Sequence, residues 1–126
     1  MTRSRRRRIA IILTVVVVLA VLLGIKEYRC KLRGDAFTNL VAHLKSDAAN
    51  DLKVGTSKSG LERFFSDHKV PYGFQGSQAF GVLRPPACAP LGCFKDTAFI
   101  GVQVELDESG SVKEPPKVFG MYQDCL

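Results

Sequence analysis

The hydrophobic pattern of the chain begins with one long apolar stretch, which runs without a charge from Ile9 to Ile25. Its only polar side chain is that of Thr14. As a helix the stretch is about 25 Å long, close to the thickness of the hydrocarbon core of a bilayer. In lipid, helix is favoured even through consecutive valines, because each unpaired backbone group there costs several kcal/mol. The pattern therefore predicts a transmembrane helix over residues 9–25.

A cleaved signal peptide is the alternative interpretation of this stretch. Its basic start fits, but its apolar part is longer than that of most signal peptides, and the exit from Leu22 to Lys26 lacks small residues in the cleavage pattern. No cysteine directly follows the apolar run, which argues against a lipoprotein signal. We expect an uncleaved signal anchor in a single-pass membrane protein.

Helical spacing returns after a short charged segment. Asp35 is a candidate N-cap for a helix that runs to about Asn50, and this helix is expected to continue from the anchor. Its apolar stripe consists of Phe37, Leu40, Val41 and Leu44. A second, short helix follows the candidate caps Thr56, Ser57 and Ser59, and Ser59 has capping-box spacing to Glu62. It should bury Leu61, Phe64 and Phe65 and end near His68.

The pattern then changes to that of strands. Residues 79–83 form a short apolar run, and residues 97–106 alternate between apolar and polar positions, as a half-buried strand does. Turn residues occupy 107–110, and 111–112 with 118–122 form a returning strand interrupted by Pro115 and Pro116, which places it at an edge or a bulge. We therefore predict an α+β fold with two helices packed on a three-stranded antiparallel sheet.

The expected organisation has four parts. Residues 1–8 form a basic tail, 9–25 the transmembrane helix, 26–34 a charged neck, and 35–126 a small α+β domain. The net charge is +6, and its positive side chains concentrate in the tail and neck. The rest of the chain is close to neutral, so the basic pI near 9.4 does not indicate nucleic-acid binding. Lipid head groups are the expected contacts of Arg5, Arg6, Arg7 and Arg8.

The arginine block before the apolar stretch favours a cytoplasmic N-terminus, although basic residues also follow the stretch. The cysteines favour the same orientation, because small extracytoplasmic domains often contain disulfides. We expect the C-terminal domain to be extracytoplasmic.

Two segments resemble small bacterial envelope domains of the BamE type, the small lipoprotein of the outer-membrane barrel-assembly machinery. Residues 52–57, with the helix that follows, are similar to the start of that family's domain, and residues 102–112 are similar to its final hairpin. The chain departs from the family in its uncleaved anchor, its missing lipid-carrying cysteine and its extra first helix. The resemblance implies an envelope scaffold or interaction role and carries over no catalytic residue.

Four cysteines are present, and three are disulfide candidates: Cys88, Cys93 and Cys125. Pro90 and Gly92 allow a small loop closed by a Cys88–Cys93 bond, and a longer-range pairing with Cys125 is the next choice. Four cysteines allow three pairings, which spacing alone does not distinguish. For Cys30 the default expectation is a free thiol, with acylation or an intermolecular disulfide as alternatives.

No candidate active site stands out. His43 and His68 are interpreted as surface histidines, and residues 55–60 have the glycine spacing of a phosphate loop without its lysine. The acids Glu105, Asp107 and Glu108 are interpreted as an exposed turn. We expect no metal, no cofactor and no enzymatic activity; a small envelope thiol, redox or hydrolytic enzyme using Cys88 and Cys93 is the alternative.

The expected function is that of a membrane-tethered interaction or scaffold domain of the bacterial envelope, with the lipid bilayer and a membrane or envelope protein as its partners. The edge strand near 118–122 is the candidate site for strand addition. Six phenylalanines are candidates for the core, any exposed remainder marking a partner surface: Phe64, Phe65, Phe80, Phe94, Phe99 and Phe119.

Overall fold

A computed structural model of the chain describes residues 3–89 and 97–123. The described residues form an α+β structure with a long apolar N-terminal helix and an antiparallel sheet, which confirms the predicted class. The elements are, in chain order, α1 (Arg3–Asp51), α2 (Lys58–Asp67), β1 (Tyr72–Gln75), β2 (Gln78–Leu83), β3 (Ala98–Glu105) and β4 (Lys117–Tyr122).

The chain divides into two compact units, Met1–Leu32 and Arg33–Leu126. In the first unit the apolar side chains from Ile9 to Ile25 are exposed, and an 18-residue window reaches a mean hydropathy of 2.9 with 0% of it buried. Helix α1, which carries this window, is long and apolar enough to cross a membrane. A signal sequence near the N-terminus has the same length and composition.

The first helix has no new start at Asp35. Helix α1 passes through Gly34 and Asp35 without interruption, so the predicted N-cap at Asp35 is wrong, whereas the expected continuation from the apolar stretch is confirmed. One glycine inside a helix costs only about 1 kcal/mol, which the rest of a long helix compensates. The buried stripe is also narrower than predicted, because Leu40 is 36% exposed.

Helix α2 begins after Ser57. The Ser57 hydroxyl accepts a hydrogen bond from the backbone N–H of Gly60 at 3.3 Å, so Ser57 is the N-cap. The predicted Ser59–Glu62 capping box is therefore wrong; the Ser59 hydroxyl lies 3.0 Å from that of Ser57 instead. The prediction of the buried side was correct, since Leu61, Phe64 and Phe65 are all buried.

In the described part of the chain the sheet has four strands in the order β1-β2-β3-β4, all antiparallel, instead of the predicted three. The additional strand is β1, which forms a hairpin with β2 through Gly76 and Ser77. Gly76 has a φ of 59°, in the left-handed region that glycine adopts readily. Pro71 and Gly73 concealed β1 in the sequence, because both residues are uncommon in strands. The strand is also short and lacks a buried alternation.

Both helical segments of the second unit pack on one face of the sheet. A Cβ added at Gly81 of β2 would lie 2.5 Å from the ring of Phe65 in α2. One added at Gly120 of β4 would lie 2.7 Å from Val41 and 2.9 Å from Phe37, both in α1. These glycines let the helices approach the strands closely. The core fills the space between, and its fully buried members include Leu52, Leu61, Phe65, Ile100, Val102, Val104 and Val112.

Candidate interaction site

The opposite side of the sheet, called here the helix-free face, carries apolar side chains with no described helix over them. Its apolar positions are Phe80, Val82, Phe99, Phe119 and Met121, as the strand register and the period-two alternation of side chains show. Phe80 is 41% and Met121 is 52% exposed.

Phe99 and Phe119 form a T-shaped pair at the centre of this face, with ring centroids 6.3 Å apart. The ring of Phe119 lies over Gly101; a Cβ added at Gly101 would be only 2.4 Å from this ring. The expectation that most candidate phenylalanines belong to the core holds for Phe64 and Phe65, which are buried. Phe80 is exposed, Phe99 and Phe119 are half-buried, and Phe94 lies outside the described residues.

The two edges of the sheet are β1 and β4. The backbone N–H of Gln123 donates to the carbonyl of Thr97 at 2.9 Å. Hydrogen-bonded and non-bonded pairs alternate along an antiparallel ladder, so the backbone groups of Val118, Gly120 and Tyr122 point away from β3. The predicted edge position of 118–122 among the described strands is thus confirmed.

The same reasoning applies to β1. The N–H of Val82 donates to the carbonyl of Pro71 at 2.9 Å, which makes that pair a bonded one. The backbone groups of Tyr72 and Phe74 therefore point away from β2. All four residues of β1 are exposed. The sequence analysis predicted no strand edge here. Gly76-Ser77 is a residue pair typical of a two-residue hairpin loop, and this signal could have identified β1.

A polar contact joins the two helices. The Nε2 atom of His68, at the C-cap of α2, lies 3.1 Å from Oδ2 of Asp47 in α1, and its Nδ1 atom lies 2.9 Å from the carbonyl oxygen of Phe64. His68 was predicted to be a surface histidine without a partner. That prediction is wrong, because packing of α2 brings it to an acid distant in the sequence. His43 is exposed, as predicted.

These contacts favour the charged imidazolium form of His68. A carbonyl and a carboxylate both accept hydrogen bonds, so both ring nitrogens donate only when both carry a proton. Partial burial lowers the pKa of His68, but the Phe64 carbonyl and the Asp47 carboxylate, with a smaller contribution from Asp51, outweigh it and raise the pKa above its usual value near 6.5.

A polar surface cleft of about 460 Å³ lies beside this contact, lined by Asn50, Asp51, Gly60, Arg63, Phe64, Asp67 and His68. Within residues 3–89 and 97–123, no group of three or more histidine, cysteine, aspartate or glutamate side chains is placed to hold a metal ion. The cleft presents charges of both signs.

The acids at the hairpin tip have a structural role at one position. Oδ1 of Asp107 accepts hydrogen bonds from the Ser109 hydroxyl at 2.6 Å and from the backbone N–H groups of Ser109 and Ser111, each at 2.9 Å. The Ser109 hydroxyl, followed by the Ser111 N–H, lowers the pKa of Asp107. A general acid at neutral pH needs a raised pKa, which Asp107 does not have. Its hydrogen bonds instead stabilise the turn. Gly110, with a φ of 80°, completes it.

Cys30 and Cys88 are both disulfide-bonded. The expectation of a free thiol at Cys30 is therefore wrong, and neither of the two cysteines in the described part of the chain is free. Cys93 and Cys125, the other disulfide candidates, lie outside the described residues. In this state Cys88 holds no thiolate for nucleophilic chemistry.

The segment with phosphate-loop spacing is a turn and a helix start, as predicted. Gly55 has a φ of 92°, and Thr56 donates its side-chain hydroxyl to the carbonyl of Lys53 at 2.7 Å. The N–H of Gly55 donates to the carbonyl of Val112, and the N–H of Val112 donates to the carbonyl of Thr56, each at 2.8 Å. These reciprocal bonds fix the loop before α2 to the segment that follows the hairpin turn.

The chain matches no protein-family model, no curated protein and no solved structure.

Proposed function

We propose that this chain is a membrane-tethered, non-enzymatic interaction or scaffold domain of a bacterial-type envelope, related in role to BamE-type domains. The apolar stretch 9–25 serves as an uncleaved signal anchor. Arg5 to Arg8 contact anionic lipid head groups on the cytoplasmic side, where each basic residue near the surface contributes about 1 kcal/mol. The unit Arg33–Leu126 is extracytoplasmic, in the compartment where disulfides such as those at Cys30 and Cys88 persist.

The observation that carries this proposal is the helix-free face beside an open strand edge. Phe80 and Met121 expose large apolar side chains at 41% and 52%, and Phe119 lies between Met121 and the start of β4. Exposed apolar patches of this kind mark surfaces for other proteins more often than catalytic centres, which are concave.

Strand addition at the β4 edge is the mechanism. A partner strand forms backbone hydrogen bonds with Val118, Gly120 and Tyr122, and its alternate side chains extend the helix-free face past Met121. Anchoring confines the domain to the membrane surface, which raises its effective concentration for a partner in the same membrane.

Site-specific photo-crosslinking of the full-length protein in its native membranes tests this mechanism. A photo-reactive residue at Met121 should give an adduct with a membrane or envelope protein, and one at Ser46, an exposed position on α1, should not. Identical adducts from both positions would count against the β4 edge.

A proline substitution provides the matched test. The N–H of Val118 points away from β3, so Val118→Pro removes one donor from the open edge without removing a β3–β4 hydrogen bond. The Met121 adduct should be lost in Val118→Pro and kept in Val118→Ala. If both variants keep it, the partner does not add a strand here.

Protease accessibility tests the orientation. In sealed vesicles of known sidedness, protease on the extracytoplasmic side should degrade the unit Arg33–Leu126, and protease on the cytoplasmic side should leave it intact. The reverse pattern would place the domain in the cytoplasm.

A further inference from the structure

The β1 edge has a self-complementary arrangement. The outward backbone groups belong to Tyr72 and Phe74, with Gly73 between them. In an antiparallel pairing of two such edges centred on Gly73, Tyr72 of each copy lies opposite Phe74 of the other. Both residues have their N–H and C=O groups directed outward, so each opposed pair exchanges two hydrogen bonds.

The side chains fit the same register. Tyr72 and Phe74 lie on the helix-covered side of the sheet, with ring centroids 5.8 Å apart at an interplanar angle of 90°. They remain 40% and 37% exposed. Pairing places each ring beside the other aromatic type across the strands, a favourable cross-strand combination. Gly73 faces the opposite side of the sheet, where no described atom lies within 4 Å of an added Cβ.

Helix α2 carries two opposite charges, those of Lys58 and Glu62, beside the β1 edge. The ring of Phe65 stacks on that of Tyr72 at 4.9 Å, and Nζ of Lys58 lies 4.5 Å from the ring centroid of Phe74, so α2 runs antiparallel to β1. Glu62 follows Lys58 by one turn on the same side of the helix and is half-buried. Neither residue forms an ion pair within the described residues.

Two-fold symmetry reverses the order of these charges in the second copy. The lysine that lies at the Phe74 end of one edge then approaches the glutamate of the other copy's α2. Opposite charges of the two copies therefore face each other across the paired edges. From His68 to Ala89 the chain contains no acidic residue, so no carboxylates of this segment repel each other.

We propose that the β1 edge is the interface for a second copy of this chain, in which two sheets join antiparallel about a two-fold axis at Gly73. This inference is independent of the anchor, the compartment and the proposed partner at β4. The interface is isologous, so it produces a closed dimer.

Cysteine crosslinking tests the register. Two Gly73 Cα atoms at the axis would be about 4.5 Å apart as a non-bonded pair, within the range that a disulfide spans. Mild oxidation of full-length Gly73→Cys in detergent micelles should therefore give a covalent dimer. Gln75→Cys is the matched control on the same side of the strand; its two copies would lie too far apart to link. Equal amounts of covalent dimer from both variants, or no covalent dimer from either, would overturn the proposed register.

Introducing a negative charge at the axis tests the stability of the dimer. Gly73→Asp opposes two carboxylates at the axis and should weaken dimerisation by about tenfold or more, while Gln75→Asp should change it less. The dimer is measured by light scattering of the full-length protein in micelles over a concentration series.

Hydrogen exchange on the unmodified protein keeps the proposal testable if these variants fail to fold. The amides of Tyr72 and Phe74 should exchange more slowly as the protein concentration rises. Fast exchange at every concentration, a monomeric wild type, or crosslinks from Gly73 only to another protein would overturn the proposal.

Discussion

The imidazole of His68 and the carboxylate of Asp47 lie 3.1 Å apart and join the end of α2 to the last turns of α1. The contact is partly exposed, with 24% of the His68 side chain and 47% of the Asp47 side chain accessible. Its contribution to stability is therefore modest, on the order of 1 kcal/mol or less.

This contact predicts a pH dependence of the free energy of unfolding. The pKa of His68 is raised in the folded state, so its stabilisation is fully present below the unfolded pKa near 6.5 and is lost as pH rises through the folded pKa. Asp47→Asn should therefore destabilise the protein by up to about 1 kcal/mol at pH 5.5 and by less at pH 8.5. Urea unfolding of both proteins at the two pH values measures this. A larger loss at the higher pH would contradict it.

Close approach of α2 to β2 predicts a large effect at Gly81. An added methyl group would lie 2.5 Å from Phe65 and 2.8 Å from Val70, so Gly81→Ala should cost about 1–3 kcal/mol in stability. Gly73→Ala, on the neighbouring strand with open space around it, is the control and should stay within about 0.5 kcal/mol of wild type. Thermal unfolding compares the two, and an equal loss in both would refute the packing argument.

Capping by Ser57 predicts that Ser57→Ala lowers the free energy of unfolding by about 1 kcal/mol, because the Gly60 N–H loses its acceptor. Ser59→Ala should cost less, since Ser59 contacts only the Ser57 hydroxyl. Chemical unfolding distinguishes them. If Ser59→Ala were the more damaging change, the capping box read from the sequence would be correct after all.

Disulfide bonding predicts the thiol chemistry of two positions. In protein kept from reductant, peptides containing Cys30 and Cys88 should not react with maleimide, and both should react after reduction and denaturation. Mass spectrometry of the labelled peptides measures this, and a non-reducing digest identifies the cysteine to which each is bonded. A Cys88 that labels rapidly without reductant would revive the enzymatic alternative.

The apolar stretch predicts retention of the full-length protein in membranes washed with alkaline carbonate. A charge near the centre of a membrane helix costs about 3 kcal/mol, so arginines at both Val16 and Leu19 should release the protein. Val54→Arg, at a position 63% exposed in the other unit, should leave it bound. Release of the wild type would remove the tether from the proposed function.

Local patterns in the sequence identified the elements whose signals are periodic. The alternation of 97–106 predicted β3 with its buried side, Ala98, Ile100, Val102 and Val104, and helical spacing predicted the buried side of α2. Strand β1 was missed because four exposed residues with a glycine carry no periodic signal.

Local sequence patterns did not predict the contacts between distant segments. The partner of His68 depends on how α2 packs against α1, and the disulfide state of Cys30 depends on a cysteine elsewhere in the fold. The open edge at Tyr72 and Phe74, which carries the proposed dimer, depends on the register of a hairpin that the sequence did not predict.

The reciprocal backbone bonds between Val112 and the Gly55–Thr56 loop have a consequence for biosynthesis. The ribosome synthesises this loop well before Val112, which lies much later in the chain. The corner between α1 and α2 therefore lacks these two hydrogen bonds until Val112 has been synthesised. Shortened chains that end before Val112 should be substrates for quality-control proteases, even though they contain both helices and three of the four strands.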